Sequence, residues 1–448
     1  MTLPNKPILF RIMNCQNTMM SKGEKRLEPL LLERANNRAG HVSLQLESLI
    51  IIWGGYNPKN KAHYPTNEFI FLNLETNEWS LKLSNGIEPG NCSGTTACIS
   101  EEKIYIFGGW HTRTASIQEF YSNRIPESSV VIYDTDIENQ TLSFGFMSNS
   151  IWSIDLRSMS WKEHTTKGIP PLRSDKCSSW IKNKKFYIFG GFGPPPVNKI
   201  SDLNGVHFTF VENRQLDTNY EDFTLGWSNQ LFIYNISTST FEWPICIGYV
   251  PSPRAALASC ILGGKAYMFG GRGVHGRMND LFSLDLEDLH WKQILPNTQD
   301  NNCMMPKGRS WHSLTSLVTG KQEGGILLYG GFDSNHNTIN DCWKMDLAVN
   351  PPTWQRLKHL EKGPRLWHTM HTLSDNKVFI LGGRIGKVID LKATRQKCPL
   401  WKLIVNPKSL QETTIEYIKE NKTVFERDIK NLPQSLKRTI QGNEPRDL

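Results

Sequence analysis

Six times in this chain a short apolar run ends in a pair of glycines: IIIWGG, IYIFGG, FYIFGG, AYMFGG, ILLYGG and VFILGG. The pairs start at Gly54, Gly108, Gly190, Gly270, Gly330 and Gly382. Successive pairs are 54, 82, 80, 60 and 52 residues apart, a unit of about 50 residues with two units enlarged. A strand buried on both faces needs a sheet on either side, and a ring of repeated sheets supplies one to every copy. The chain is therefore read as all-β, a six-bladed β-propeller over residues 35–404.

The stretch from Pro253 to Trp291 spells out one blade. SPRAALASCIL leads into an innermost strand, and Gly263-Gly264-Lys265 turns the hairpin. AYMF is a second strand, apolar on both faces. Gly270 and Gly271 mark a sharp turn where a neighbouring blade leaves no room for a Cβ. LFSLDL is the third strand and Trp291 lies on the fourth. The same order returns elsewhere, with Arg38-Ala39-Gly40-His41, Arg309-Ser310-Trp311-His312 and Arg365-Leu366-Trp367-His368 opening first strands. Trp79, Trp161, Trp243, Trp354 and Trp401 close fourth strands, which accounts for much of the unusual total of 14 tryptophans. These tryptophans, with Asp280 and Asp341 ahead of third strands, are assigned to the architecture. His312 and His368 occupy equivalent repeat positions, which favours a structural role over a ligand role.

Two units are enlarged after their glycine pairs, from Gly109 to Trp152 and from Phe192 to Trp227. Val130-Val131-Ile132-Tyr133 is expected to add a strand or hairpin. Both excursions leave from the end of a second strand, on the face where propellers usually bind. Residues 1–34 show no blade pattern, and a ring-closing strand or disorder is expected there.

After Trp401 the period changes from two to that of a helix. Ser409-Leu410-Gln411-Glu412 reads as a capping box, and Leu410, Thr414, Tyr417 and Ile418 recur on one helical face. A second helix is expected near Asn431, with Leu432, Leu436 and Ile440 on one side and Pro433 in its first turn. Residues 405–448 are thus a short α-helical extension, either packed on the propeller or serving as a dock for another protein.

Composition narrows the function classes. With 38% hydrophobic and 21% charged residues the chain can bury a large core. A net charge of +8 without a run of basic residues argues against nucleic acid as a partner. Nine cysteines without a CxxC pair fit reduced thiols better than a disulfide framework or a zinc site. No signal peptide and no apolar stretch of membrane-spanning length is evident, so a soluble chain of the nucleus and/or cytoplasm is expected. There is no G-x-S-x-G, HExxH or phosphate loop, and no cofactor or catalytic residue is expected.

Cationic residues stand where blade loops should converge. Arg272 and Arg384 follow glycine pairs directly, Arg277 lies five residues further on from the first, and Lys176 opens another blade. Aromatic residues fill the matching slots: Tyr56, Trp110, Phe192 and Phe332. Guanidinium forks match carboxylates bidentately, and flat rings exclude water around them. An anion pocket is expected on that face.

SPRAALASC, FGGRGVHGRMNDL, GRSWHSL, GGFDSN, PRLWHT and NPKSL together resemble the kelch domain-containing protein 1 and 2 family over roughly residues 34–440. Proteins of that family are kelch-repeat substrate receptors of cullin-2 RING ubiquitin ligases, which recognise a substrate's extreme C-terminus, typically two glycines. The resemblance implies that Arg272, Arg277 and Ser310 hold the terminal carboxylate, that Trp311 walls the pocket and Trp227 covers the peptide. Tyr56 and Lys176 would touch backbone further from the terminus. Phe192 stands where the family has tyrosine, which keeps the ring and drops a hydroxyl. In the tail, Ser409, Leu410, Thr414 and Ile418 resemble an elongin-binding box, with Thr414 replacing its cysteine. Leu432, Pro433 and Leu436 resemble a cullin-2 box. The implied partners are elongin B, elongin C, cullin-2 and a RING subunit, together with substrate C-terminal peptides. The alternative is a kelch scaffold that binds a folded partner and carries a purely structural tail.

Overall fold

The computed structural model describes residues 27–59, 62–118, 130–136, 138–195, 207–211, 225–298, 305–319, 322–347, 349–373, 377–386 and 400–405. In the C-terminal stretch it describes 414–415, 417–418, 421, 424–433 and 437. The first three blades are four-stranded antiparallel sheets in the expected order, and the fourth and fifth keep that order and each add a two-residue strand, Ile247–Gly248 (parallel to His290–Leu295) and Arg309–Ser310. The first comprises Val42–Leu46, Leu49–Trp53, Glu68–Asn73 and Trp79–Leu83. The fourth comprises Ala258–Leu262, Lys265–Phe269, Leu281–Asp285 and His290–Leu295. Of the sixth blade, Thr369–Thr372, Lys377–Leu381 and Trp401–Ile404 are described.

The glycine pairs join each blade to the next. Gly55 donates its N–H to Cys92 O, Gly109 to Ser174 O, Gly191 to Arg254 O, Gly271 to Arg309 O and Gly331 to Arg365 O. Gly383 donates to Arg38 O at 2.7 Å, tying the sixth blade to the first and closing the ring. The approach is close enough to require glycine: at Gly331, with φ +105°, a Cβ would lie 2.8 Å from the His312 Cβ and 2.9 Å from Ser310 O.

Nearer the axis runs a second ring, built from Gly40, Gly94, Lys176, Ala256, Trp311 and Trp367, all with φ between 54° and 68°. Each amide donates to the carbonyl of the equivalent residue one blade back: Gly94 to Gly40, Lys176 to Gly94, Ala256 to Lys176, Trp311 to Ala256, and Trp367 to Trp311. Gly40 closes the circle onto Trp367 at 3.3 Å. Four of the six are not glycine, and a left-handed backbone costs such a residue about 1–2 kcal/mol. The ring satisfies a donor and an acceptor at every position, which offsets part of that cost.

Four fourth-strand tryptophans fill the seams as expected, whereas Trp243 lies just past its blade's fourth strand, Thr240–Glu242. Trp161 packs 5.2 Å from Trp53, Trp291 5.1 Å from Phe189, Trp354 5.4 Å from Phe269 and Trp401 6.0 Å from Tyr329. In each case a blade's tryptophan meets the aromatic that precedes the glycine pair of the blade before it. Buried Arg254 forms a bidentate pair with Asp280, and Arg309 with Asp341. His41, His312 and His368 are buried, with burial driving the pKa of the first two down to about 3. They serve as neutral seam residues: His368 Nε2 lies 2.7 Å from Ser313 Oγ.

The N-terminal expectation is corrected for the residues described. Leu27–Asn36 form a helix, α1, and not a strand. Leu31 and Ala35 of α1 pack with Ile50, Ile70, Phe379 and Leu381, covering the seam between first and sixth blades. Residues 1–26 lie outside the described residues.

Both enlarged units form extra sheets. Asn91–Ser93, Trp110–Ser116, Val130–Asp136 and Thr141–Met147 make a four-stranded sheet, so Val130–Tyr133 is a strand as expected. Phe192–Gly193, Phe208–Val211 and Leu225–Ser228 make a three-stranded one.

Residues 404–448 form a separate compact unit. Thr414, Tyr417 and Ile418 are helical, whereas Ser409, Leu410 and Leu436 lie outside the described residues. A short helix at Glu426–Ile429, which the sequence pattern did not announce, precedes the one expected near Asn431. Asn431 is in a turn and Leu432 in a bend, and the Lys437 amide donates to Pro433 O at helical spacing. Among the described residues no helix is long and apolar enough to cross a membrane. The six described cysteines carry free thiols, and burial pushes Cys92 and Cys98 up to about 12.

Candidate functional site

Each glycine pair releases the chain onto the same face of the propeller, where the next residue pairs with the residue preceding the axial ring. Tyr56 thus bridges Ala39, Phe192 bridges Asp175, Arg272 bridges Ala255 and Arg384 bridges Leu366, while Phe332 pairs with Ser310. The repeat therefore delivers these side chains to one rim.

Arg272 and Arg277 face each other across a two-residue hairpin, their backbones paired in register. Arg277 Nε donates to the buried Ser310 hydroxyl at 2.9 Å. Its guanidinium lies 4.8 Å from the Phe332 ring centre and 5.9 Å from Trp311. Among the described residues no carboxylate forms an ion pair with it, and its Nη groups have no acceptor. Asp333 lies nearby, but its carboxylate accepts the amides of Asn335 and Asn337 in its own loop. Burial, reinforced by Arg272 and opposed by Asp333, lowers the Arg277 pKa to about 10, so the group stays charged at neutral pH. Arg272 sits 5.7 Å over the buried Trp227, which packs at a tilt against Phe192 with ring centres 5.1 Å apart.

Two cations expected to be unpaired are not. Lys176 is ion-paired with the adjacent Asp175, and its ammonium sits between Phe192 and Trp367 at 5.9 and 5.8 Å. Arg384 is buried and donates to the Tyr56 hydroxyl at 3.3 Å. Both follow from the repeat: positions next to the axis are crowded, and a charge there finds a neighbour. Of the four cations, Arg277 is the one shown here without an ion pair among the described residues, with Arg272 on the facing strand of its hairpin.

The structure also adds to the expected set. Trp367, assigned only to the start of a first strand, lies 5.5 Å from both Trp311 and Tyr56 and completes the aromatic rim. Aligning the axial-ring positions across the repeats would have revealed it, since Trp311 and Trp367 are equivalent. Phe332 belongs to the wall as well, through its contact with Arg277. Beneath the rim lies an axial cavity of about 120 Å³, whose lining includes Lys176, Trp311 and Trp367. Among the described residues no cluster of His, Cys, Asp and Glu could hold a metal ion.

The sequence profile of the KLHDC2/KLHL20/DRC7 Kelch-repeats domain matches residues 138–319 and 218–383, together more than half of the chain. The chain belongs to this kelch-repeat family. It is 28% identical to kelch domain-containing protein 2 of Bos taurus over 90% of this chain and 89% of the relative. It is 29% identical to kelch domain-containing protein 1 of Homo sapiens, with the same coverage of each chain. Among solved structures, that of YjhT superposes with a TM-score of 0.52 at 15% identity, covering 78% of this chain and 92% of the other. That likeness concerns the kelch fold alone.

Proposed function

We propose that this kelch-repeat protein is the substrate-recognition subunit of a cullin-2 RING ubiquitin ligase, and that it binds polypeptides by a C-terminal carboxylate, preferring two terminal glycines. The observation that carries the reading is Arg277. Its Nε is fixed on Ser310, which leaves the Nη edge without an acceptor among the described residues, and Trp311 and Phe332 keep water from its flanks. A charge held this way is suited to an incoming carboxylate, because the fork is oriented before the ligand arrives. Arg272, on the facing strand, supplies the second positive charge. A terminal residue without a side chain lets the carboxylate sink between them, where a Cβ would collide with the walls. Trp227, Phe192, Tyr56 and Trp367 would contact the chain leading away from the terminus, with Lys176 acting as part of an ion pair.

In this reading the subunit performs no catalysis, and ubiquitin transfer belongs to its partners in the nucleus and/or cytoplasm. Residues 405–448 recruit elongin B, elongin C, cullin-2 and the RING subunit. The reading is supported by the likeness to kelch domain-containing proteins 1 and 2 along nine-tenths of the chain.

Two measurements test it. A C-terminal peptide library screened against the full-length chain is expected to enrich free-acid peptides ending in glycine. Elongins B and C are expected to co-purify with the full chain and to be lost on deleting residues 405–448. Enrichment of internal sequences, or elongin binding that survives the deletion, would instead identify a scaffold for folded partners.

A further inference from the structure

Arg173 is a further guanidinium on the same face, and the pocket described above leaves it unused. It lies on the segment Pro171-Leu172-Arg173-Ser174, which runs inward between the two extra sheets. Three contacts fix that segment. Asn149 Nδ2 donates to Pro171 O, the Leu172 amide donates to Gln230 Oε1, and the Arg173 carbonyl is so near Gly193 that a Cβ there would meet it at 1.9 Å. The side chain is half-buried, yet its contact with a described residue is a single 3.4 Å hydrogen bond from Nη1 to Met147 O. Among the described residues no carboxylate pairs with it. Burial alone lowers its pKa, and no neighbouring charge opposes the shift. Paired, buried arginines elsewhere in the chain, such as Arg254 and Arg309, show what the fold does when an arginine is structural. Arg173 has a backbone fixed by these contacts, and among the described residues most of its donors have no acceptor.

A continuous surface connects it to the Arg272–Arg277 hairpin. Arg272 covers Trp227, Trp227 packs against Phe192, Phe192 bridges Asp175, and Arg173 lies two residues before Asp175. An extended chain advances about 3.3–3.6 Å per residue, so one that follows these contacts needs several residues to pass from the hairpin to Arg173.

We infer that Arg173 is a second anion subsite, which takes an Asp or Glu side chain lying several residues before the terminus of the bound polypeptide. The inference rests on the proposed function for the direction and register of that chain. It narrows the substrate class to C-termini with an acidic residue upstream of a small, uncharged end.

The test uses Gly/Ser dodecapeptides with a free-acid diglycine end, each with one Glu between about four and eight residues before the terminus, and their Gln counterparts. Binding to the full-length chain is read by fluorescence polarisation. One Glu position is expected to bind about five-fold tighter than its Gln counterpart, as suits a partly exposed charge pair. In Arg173→Gln this preference disappears, while the Gln peptide stays within about two-fold of its wild-type affinity. In Arg173→Glu the preference passes to a Lys peptide, a gain that an unfolded variant cannot produce. Absence of a Glu preference at every position, or a preference that survives in Arg173→Gln, overturns the inference. Amidated peptides separate it from the reading it rests on. If amide and acid bind alike while the Glu preference follows Arg173, the terminal pocket falls and the subsite stands. If amidation abolishes binding and no Glu preference exists, the pocket stands and the subsite falls.

Discussion

Arg309 and Arg277 are 32 residues apart in sequence, on adjacent blades, and do opposite things. Arg309 is fully buried, and its fork is closed on Asp341 while Nη1 also reaches Gly330 O. Arg277 is half-buried, with Nε on a hydroxyl and aromatic rings on its flanks. The difference lies in where the repeat puts them. Position 309 precedes the axial ring and faces the glycine pair of its own blade, where an aspartate at the start of the third strand can meet it. Position 277 ends a hairpin that projects beyond the blade edge, where the repeat supplies no carboxylate. One residue type thus serves as a strut inside the ring and as an open fork on its rim.

Truncating the strut is expected to have the largest effect. Arg309→Ala leaves Asp341 buried without its partner and should cost about 3–5 kcal/mol in unfolding free energy by urea denaturation. A loss below about 1 kcal/mol would contradict the division between the two arginines. Arg277→Ala should show the converse pattern. Its stability changes by less than about 0.5 kcal/mol, while affinity for a free-acid C-terminal peptide falls by about 2–5 kcal/mol in calorimetry.

The seam histidines sharpen the interior half of the comparison. His41 and His312 titrate near 3 in the fold, because burial first, then Arg38 and Arg309 respectively, disfavour the charged form. The unfolded chain takes up these protons near pH 6.5. Stability from this source is therefore complete above about pH 6.5 and is lost as pH falls toward 3, by up to ~1.4 kcal/mol per pH unit for each histidine. Urea midpoints measured across that window should drop, and His312→Gln should make the drop shallower. A flat profile would mean that these histidines are not held neutral. The smallest effect is expected at Phe192→Tyr, which offers the pocket one more hydroxyl and should tighten peptide binding by about 0.5–1.5 kcal/mol or less. Weaker binding would place a Tyr hydroxyl at 192 against the peptide path instead of along it.

Much of this was legible in the sequence because the repeat writes each structural need six times. The glycine pairs fall where the pattern put them, as do Trp161, Trp291, Trp354 and Trp401, and Asp280 and Asp341 are structural as assigned, each paired with a buried arginine. The rim was legible residue by residue, since Arg277, Ser310 and Trp311 are brought together as expected. What the pattern missed depends on neighbours that are remote in sequence. Lys176 looked open because its aspartate, Asp175, is an adjacent residue that a strand pattern turns the other way. Trp367 looked structural because it shares a motif with buried His368. Helix α1 carries no blade signal, and its place follows from the apolar seam between the first and sixth blades that Leu31 and Ala35 cover.

The most direct measurement is a pair of binding isotherms for one glycine-terminated peptide, as free acid and as C-terminal amide, on wild type and on Arg277→Ala. The account predicts that amidation weakens wild-type binding at least about 30-fold, and that little of this penalty remains in Arg277→Ala. Equal affinity of acid and amide for the wild type would contradict it.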